Sequence, residues 1–124
     1  MRLVIILATA FMSMASSNLV AKEPTDAELD DWFIYLRSIA IPATIEVCTP
    51  VLENKEAFIA AANGWLEANK TGIARGKEVA ISGLPEGKTL DESNSSMVQK
   101  FVLQFNTETN AKKVARCLQY QDTY

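Results

Sequence analysis

The 124-residue chain has no histidine, and it contains only two cysteines, five glycines and four prolines. Without histidine it lacks the usual acid–base group near neutral pH and the commonest zinc ligand. The two cysteines do not form a Cys-x-x-Cys motif, which makes thioredoxin-like or zinc chemistry improbable. A hydrophobic content of 48%, with so little glycine and proline, argues against a disordered chain. We therefore expect a single folded domain that is not an enzyme and has no cofactor and no metal.

The N-terminal segment has the pattern of a secretory signal peptide. Met1-Arg2 gives a positive start, and Leu3 to Ala15 is a nearly uncharged apolar stretch that is short for a membrane-spanning helix. Two cleavage sites compete, one after Ala15 and one after Ala21, and a retained anchor helix is the alternative. We expect a signal peptide in residues 1–21, a domain in residues 22–124, and a periplasmic or secreted protein with no stable membrane insertion after cleavage.

The charge of the exported part argues against a nucleic-acid partner. Residues 1–21 contain one charged side chain, Arg2, so removing them leaves 11 basic and 15 acidic residues, a net charge of −4. A phosphate-binding surface would need a concentrated basic stripe to overcome that sign. The nearest group, Lys112, Lys113 and Arg116, is interpreted as cations near a helix C-terminus.

Cys48 and Cys117 both lie in the exported part. In an oxidising compartment two cysteines predict one disulfide, with a single connectivity. The bond would close a loop of 69 residues. On the chain-entropy account it would stabilise the fold by roughly 4 kcal/mol.

A capping box marks the start of the first predicted helix. Thr25 can accept from a backbone N–H of the first turn, and Glu28 can reach back to the cap. Apolar residues then recur at three- and four-residue steps as far as Ala43. Pro42 predicts a kink or a restart near Ile41. A corner is expected at 49–54, with Thr49 or Asn54 as the next N-cap.

Residues 55–81 predict one long helix that carries a stripe of small residues. Ala60, Gly64, Ala68, Gly72 and Gly76 are spaced four apart. Each glycine lowers helix propensity by about 1 kcal/mol relative to alanine, so a close contact should compensate. We expect Gly64 to face the helix of Cys48. For Gly72 and Gly76 two interpretations stay open, close helix packing or a surface where a partner docks.

The last third of the chain predicts two more helices. Thr89 and Glu92 form a second capping box, and the helix that follows should end near Asn106. Asn106 or Thr107 can cap a final helix that ends near Tyr120. The expected fold class is all-α, a small antiparallel bundle of three to four helices stapled by one disulfide.

Two families of exported proteins resemble parts of the sequence. The pattern of Cys48 and Pro50, Phe58, then Trp65, Asn69, Ile73 and Gly76, and finally Cys117 resembles small exported helical proteins of bacteria whose function is largely unassigned. The run Leu84–Thr89, followed by a helix with Lys100, resembles part of the periplasmic immunity proteins that neutralise amidase effectors of the type VI secretion system. Members of that family carry a cysteine where this chain has Gly83, and no functional residues are transferred from it.

Three functions are compatible with these features. The first is a protein-binding module, an inhibitor or immunity-like protein, whose partner lies in the cell envelope or outside the cell. Its candidate surface includes Gly72, Gly76 and the tyrosines Tyr35, Tyr120 and Tyr124. The second is a periplasmic stress chaperone, in which only carboxylates could sense acid. The third is a carrier of a small apolar ligand in a pocket lined by Trp65, Met97, Phe101 and Phe105.

Overall fold

The computed structural model describes residues 23–124, all helix and connecting segments without a strand in that range. The predicted signal peptide and its cleavage sites lie outside the described residues. An all-α fold is confirmed, but the described residues form five helices rather than three to four. They are α1 (Asp26–Cys48), α2 (Lys55–Ala68), α3 (Lys70–Ser82), α4 (Leu90–Asn106) and α5 (Asn110–Thr123).

Helices α1 and α4 begin at the two predicted capping boxes. The Thr25 hydroxyl accepts from the Glu28 N–H at 3.2 Å, and the Glu28 carboxylate accepts from the Thr25 N–H at 3.5 Å. Thr89 and Glu92 repeat the arrangement at 3.2 and 3.3 Å. Each pair satisfies backbone donors that the first turn of a helix leaves free. Both starts are therefore fixed by local sequence.

Helix α1 continues without interruption through Pro42. A restart near Ile41 was therefore the wrong alternative. Proline removes one donor from the helix, and the remaining intrahelical bonds are enough to carry the helix on to Cys48. Pro42 is exposed, whereas its neighbours Ile41 and Ala43 are buried. The sequence thus places the irregular residue on the outer side of the helix.

The prediction of one long helix over residues 55–81 is wrong, because the structure has two helices there, which meet at Asn69. Asn69 has φ −104° and ψ 12°, outside the helical region, and it ends α2 and precedes α3. Its side-chain amide donates to the carbonyl of Trp65 at 2.9 Å, and the same carbonyl accepts the backbone N–H of Asn69 at 3.0 Å. The break lets α3 take its own direction against α1.

The predicted N-cap of α5 is also wrong. Thr109, rather than Asn106 or Thr107, accepts from the Lys112 N–H at 3.3 Å. Thr107 instead ends α4. As a result Lys112 lies in the first turn of α5, and the expectation that these cations sit near a helix C-terminus is wrong.

Helix α1 is the centre of the fold and contacts each of the other four helices, most extensively α3. Gly76 of α3 lies against Asp31, and Gly72 lies against Ile34, so the contacts run in opposite order along the two helices. Small residues on α3 allow this close approach.

Helix α4 follows α1 in the same direction. Asn94, near the start of α4, bonds to Tyr35 of α1, and Phe105, near the end of α4, packs in one cluster with Cys48 at the end of α1. The N-termini of α1 and α4 therefore lie at the same end of the molecule. The disulfide lies at the other end.

The predicted disulfide is confirmed and lies in the buried core. Cys48 and Cys117 have an S–S distance of 2.11 Å and a Cα–Cα distance of 5.6 Å, and both are fully buried. Phe58 and Phe105 complete the buried cluster. The bond joins the end of α1 to α5, as the sequence predicts. Among residues 23–124, no helix combines the length and hydropathy needed to cross a membrane.

Candidate functional site

An apolar cleft opens at the end of the molecule where α1 and α4 begin. We call it the N-terminal cleft; its volume is about 390 Å³. Its walls come from the first half of α1, the end of α3, the segment 83–85 and the start of α4. The lining residues are Pro24, Leu29, Trp32, Tyr35, Leu36, Val79, Ala80, Gly83, Leu84, Pro85, Leu90, Ser93 and Asn94.

Helical spacing and the close α1–α3 contact together build this cleft. Leu29, Trp32 and Leu36 lie three and four residues apart, so they share one face of α1. Gly76 brings the two helices together, and the next turn of α3 then adds Val79 to the wall. A cleft with apolar walls is suited to hold an apolar side chain or a small apolar molecule.

Two polar residues in the wall of the cleft form a hydrogen-bonded pair. The Asn94 side-chain amide donates to the Tyr35 hydroxyl at 2.9 Å, and Tyr35 is only 3% exposed. The bond joins α1 to α4 and satisfies the hydroxyl of a buried tyrosine. The pair therefore fixes the distance between two walls of the cleft.

The apolar surface continues outside the cleft on α1. Phe33 is 60% exposed, and its ring centroid lies 5.3 Å from that of Trp32, which lines the cleft. Ile81, directly after the lining residue Ala80, is 45% exposed. Exposed aromatic groups beside an apolar pocket are typical of protein-binding surfaces.

An ion pair bridges α1 and α3 close to Gly76. Arg75 donates to both carboxylate oxygens of Asp31, at 2.9 and 3.1 Å. These hydrogen bonds lower the pKa of Asp31, although partial desolvation acts in the opposite direction. The carboxylate of Asp31 is thus used in a helix–helix contact.

A second cleft, which we call the C-terminal cleft, lies further along α1 and has a volume of about 370 Å³. Arg37 is its main charged group. The guanidinium donates to the carbonyl and the hydroxyl of Thr123, at 2.8 and 2.6 Å, and lies over the rings of Trp65 and Tyr124, 5.1 and 5.2 Å from their centroids. These contacts hold the C-terminal residues against α1 and α2.

The final residue of the chain is part of this packing. The hydroxyls of Tyr124 and Thr44 lie 2.8 Å apart. The Thr44 hydroxyl also bonds to the carbonyl of Ile41 at 2.8 Å. Burial raises the pKa of Tyr124, and the hydrogen bond with Thr44 and the nearby charge of Arg37 only partly offset that effect.

Most of the partner surface expected from the sequence is inside the fold. Gly72 and Gly76 are buried against α1, and Tyr35 is buried in the wall of the cleft. Of the two interpretations of these glycines, close packing is the one that matches the structure, because α1 already occupies the space a partner would use. Gly64 was expected against the helix of Cys48, but a Cβ there would meet nothing within 4 Å. Tyr120 is half-buried, with its ring 6.3 Å from that of Phe101.

The ligand pocket expected from the sequence is not formed by the residues assigned to it. Phe105 is 1% exposed in the disulfide core, and Trp65 lies under Arg37. Phe101 lines the C-terminal cleft, whereas Met97 lines neither cleft. The N-terminal cleft was not predicted, because the periodic apolar residues of α1 are equally the pattern of a helix face packed in the core. The apolar pair Leu84-Pro85 in an otherwise polar connection was the available signal.

Within residues 23–124 there is no group of three or more acidic, cysteine or histidine side chains that could hold a metal ion. Comparisons with protein-family models, with curated proteins and with solved structures found no match to the chain.

Proposed function

We propose that the protein is an exported protein-binding module, of the inhibitor or immunity type, and that the N-terminal cleft is its binding site. The observation that carries the proposal is the continuity between this apolar cleft and Phe33, which is 60% exposed beside it. A pocket for an anchor side chain, bordered by an exposed aromatic residue, is the arrangement in which a few residues contribute most of a binding energy.

The resemblance to immunity proteins concerns the same part of the molecule. The run Leu84–Thr89, which carries that resemblance, contributes Leu84 and Pro85 to the wall of the cleft. Connecting segments held on a rigid helical scaffold are frequent positions for binding residues. The shared region supports a protein partner in the envelope or outside the cell.

Export is the second part of the proposal. The apolar N-terminal stretch supports a cleaved signal peptide, and a buried disulfide is the kind of bond that persists in an oxidising compartment. We place the protein in the periplasm or outside the cell, in a binding rather than a catalytic role.

A carrier of a small apolar ligand is the second candidate, because one observation favours it. The cleft volume of about 390 Å³ falls within the range of sites for small molecules. Native mass spectrometry of protein purified from the periplasm distinguishes the two functions. A carrier retains a molecule that organic solvent extracts, whereas a protein-binding module retains none.

Site-specific photo-crosslinking tests the binding proposal. A photoreactive phenylalanine analogue is placed at position 33 or, as the control, at Leu103, which is 69% exposed on α4 and outside both clefts. In the envelope of the source cell we expect one defined crosslinked protein from position 33 and none from position 103.

The captured protein is then purified and titrated against the protein and two matched variants. Phe33→Ser should weaken binding at least about tenfold, and Leu103→Ser should leave the Kd unchanged. Equal effects of the two variants, or crosslinks from position 103 alone, would show that the N-terminal cleft is not the binding site.

A further inference from the structure

Most charged residues next to the lining of the N-terminal cleft are acidic. Two segments flank the lining residues, 23–28 on one side and 86–92 on the other. Their charged residues are Glu23, Asp26, Glu28, Glu86, Asp91 and Glu92, with Lys88 as the single cation. Glu23 adjoins the lining residue Pro24, Glu86 adjoins Pro85, and Asp91 adjoins Leu90.

The direction of the helices explains why these charges are concentrated at one place. Acidic residues in the first turn of a helix stabilise it through the helix dipole, so one such group needs no binding function. Here α1 and α4 run in the same direction, and their acidic first turns therefore lie at the same end, on two sides of one apolar cleft. Glu23 and Glu86 lie outside the helices and add to that charge.

Charged residues on the neighbouring part of α3 do not neutralise this rim. Arg75 is already paired with Asp31 at 2.9 Å. Lys77 and Glu78, which are both exposed, balance each other in charge. The cleft thus combines apolar walls with a negative rim.

We propose that the N-terminal cleft recognises a basic segment of its partner protein, in which an apolar anchor side chain is flanked by lysine or arginine. This inference rests on the proposed protein-binding function and specifies the chemistry of the partner. The apolar walls bury the anchor, and the carboxylates at the rim attract the flanking cations, which sets the preference between otherwise similar segments.

Peptide selection tests this without knowledge of the partner. The exported, oxidised protein is immobilised, and a random dodecapeptide library displayed on phage is selected against it. We expect enriched peptides that carry an aromatic or aliphatic residue with lysine or arginine close by. The enriched peptide is then synthesised with a fluorophore and titrated by fluorescence anisotropy at low and high salt, and the higher salt should weaken its binding.

Two double variants with reversed charges distinguish attraction of the peptide by the carboxylates beside the cleft from its attraction by the net negative charge of the whole protein. Glu86→Lys with Asp91→Lys changes one connecting residue and one first-turn residue beside the cleft. Glu53→Lys with Glu56→Lys makes the same changes at the disulfide end, in the connection before α2 and in its first turn. We expect about a tenfold loss of peptide affinity for the first pair and less than about twofold for the second.

Each of the following results would overturn the proposal that the partner segment is basic. If the peptide binds independently of charge but Leu84→Ser abolishes binding, the cleft is a protein-binding site without a preference for cations, and the proposed function stands. If no peptide is enriched, the basic-segment proposal fails, and crosslinking from position 33 separately decides the function. A dimer that Leu84→Ser dissociates would assign the cleft to a second copy. Tighter peptide binding after deletion of residues 16–21 would assign it to the chain's own N-terminal segment.

Discussion

Gly76 of α3 lies directly against the main-chain carbonyl of Asp31 in α1. A Cβ built at position 76 would overlap that carbonyl and would lie 2.6 Å from the Cβ of Tyr35. Backbone and the first atoms of side chains cannot rotate away, so only glycine fits at this crossing. The central helix pair of the fold therefore depends on one residue without a side chain.

The three helical glycines should respond differently to alanine. We expect Gly76→Ala to destabilise the protein by about 2 kcal/mol or more, because the helices must separate. Gly64→Ala should stabilise it by about 0.5 to 1 kcal/mol, because a Cβ there meets nothing within 4 Å and alanine is the better helix former. Denaturant unfolding of the two variants measures both values.

Gly72→Ala provides the intermediate case. Its Cβ would lie 3.3 Å from Cδ1 and 3.4 Å from Cγ2 of Ile34, a side chain that can adjust by a few tenths of an ångström. We expect a change of less than about 1 kcal/mol in either direction. Equal effects at positions 64 and 76 would contradict the close approach of α1 and α3.

Reduction of the disulfide should be slow while the protein is folded. Both sulfurs are fully buried, so a reductant reaches them only after the structure opens. We expect no alkylation of native protein treated with a mild thiol, and two labelled cysteines after the same treatment in denaturant, measured by intact mass. Labelling of the native protein at the denatured rate would contradict a buried bond.

The double variant Cys48→Ala with Cys117→Ala should have a free energy of unfolding lower by up to roughly 4 kcal/mol, the chain-entropy value for the long loop that the disulfide closes.

The half-buried Tyr124 should make stability fall at alkaline pH. Burial raises the pKa of Tyr124 above its ordinary value of 10.0, so the folded state holds this proton more tightly than the unfolded state. That contribution is fully present below the unfolded pKa and is lost as the pH rises through the folded pKa. We expect the Tm of the wild type to fall more steeply above pH 10 than that of Tyr124→Phe. Curves of Tm against pH that run parallel for the wild type and Tyr124→Phe would contradict this prediction.

The N-terminal segment should direct export on its own. A fusion of residues 1–25 to a reporter that is active only after translocation should be exported and cleaved after Ala15 or Ala21, as N-terminal sequencing of the product shows. Ile6→Lys, which places a charge in the apolar stretch, is the control that should block export. A full-length fusion retained in the cytosol would show that these residues are not a signal peptide.

Local signals in the sequence were sufficient for the parts of the fold that depend on neighbouring residues. The capping residues Thr25 and Thr89 act on N–H groups three positions away, and two cysteines allow one pairing, so these features follow from the sequence. The break at Asn69 does not follow from the sequence. Asparagine is tolerated in helices, and the small-residue stripe continues on both sides of position 69. Its position depends on how α3 packs on α1.

The candidate site depends on contacts between distant residues, which spacing alone does not reveal. Leu29, Trp32 and Leu36 form an apolar face that looks the same whether it is covered or left open. Only the direction of α4 and the course of the segment 83–85 leave part of it uncovered. For the same reason the sequence left open a docking surface at Gly72 and Gly76, although α1 packs against both.

The position of the cleft segment within the loop closed by the disulfide has a consequence for proteolysis. Residues 83–89 lie between Cys48 and Cys117, and Lys88 is exposed there. A protease that cuts after Lys88 would produce two polypeptides, each of which contains one of the paired cysteines. The fragments would remain covalently joined, and their N-terminal and C-terminal helices would stay attached at the core. Cleavage in the wall of the cleft would therefore release no fragment, and a loss of mass would be detected only after a reductant is added.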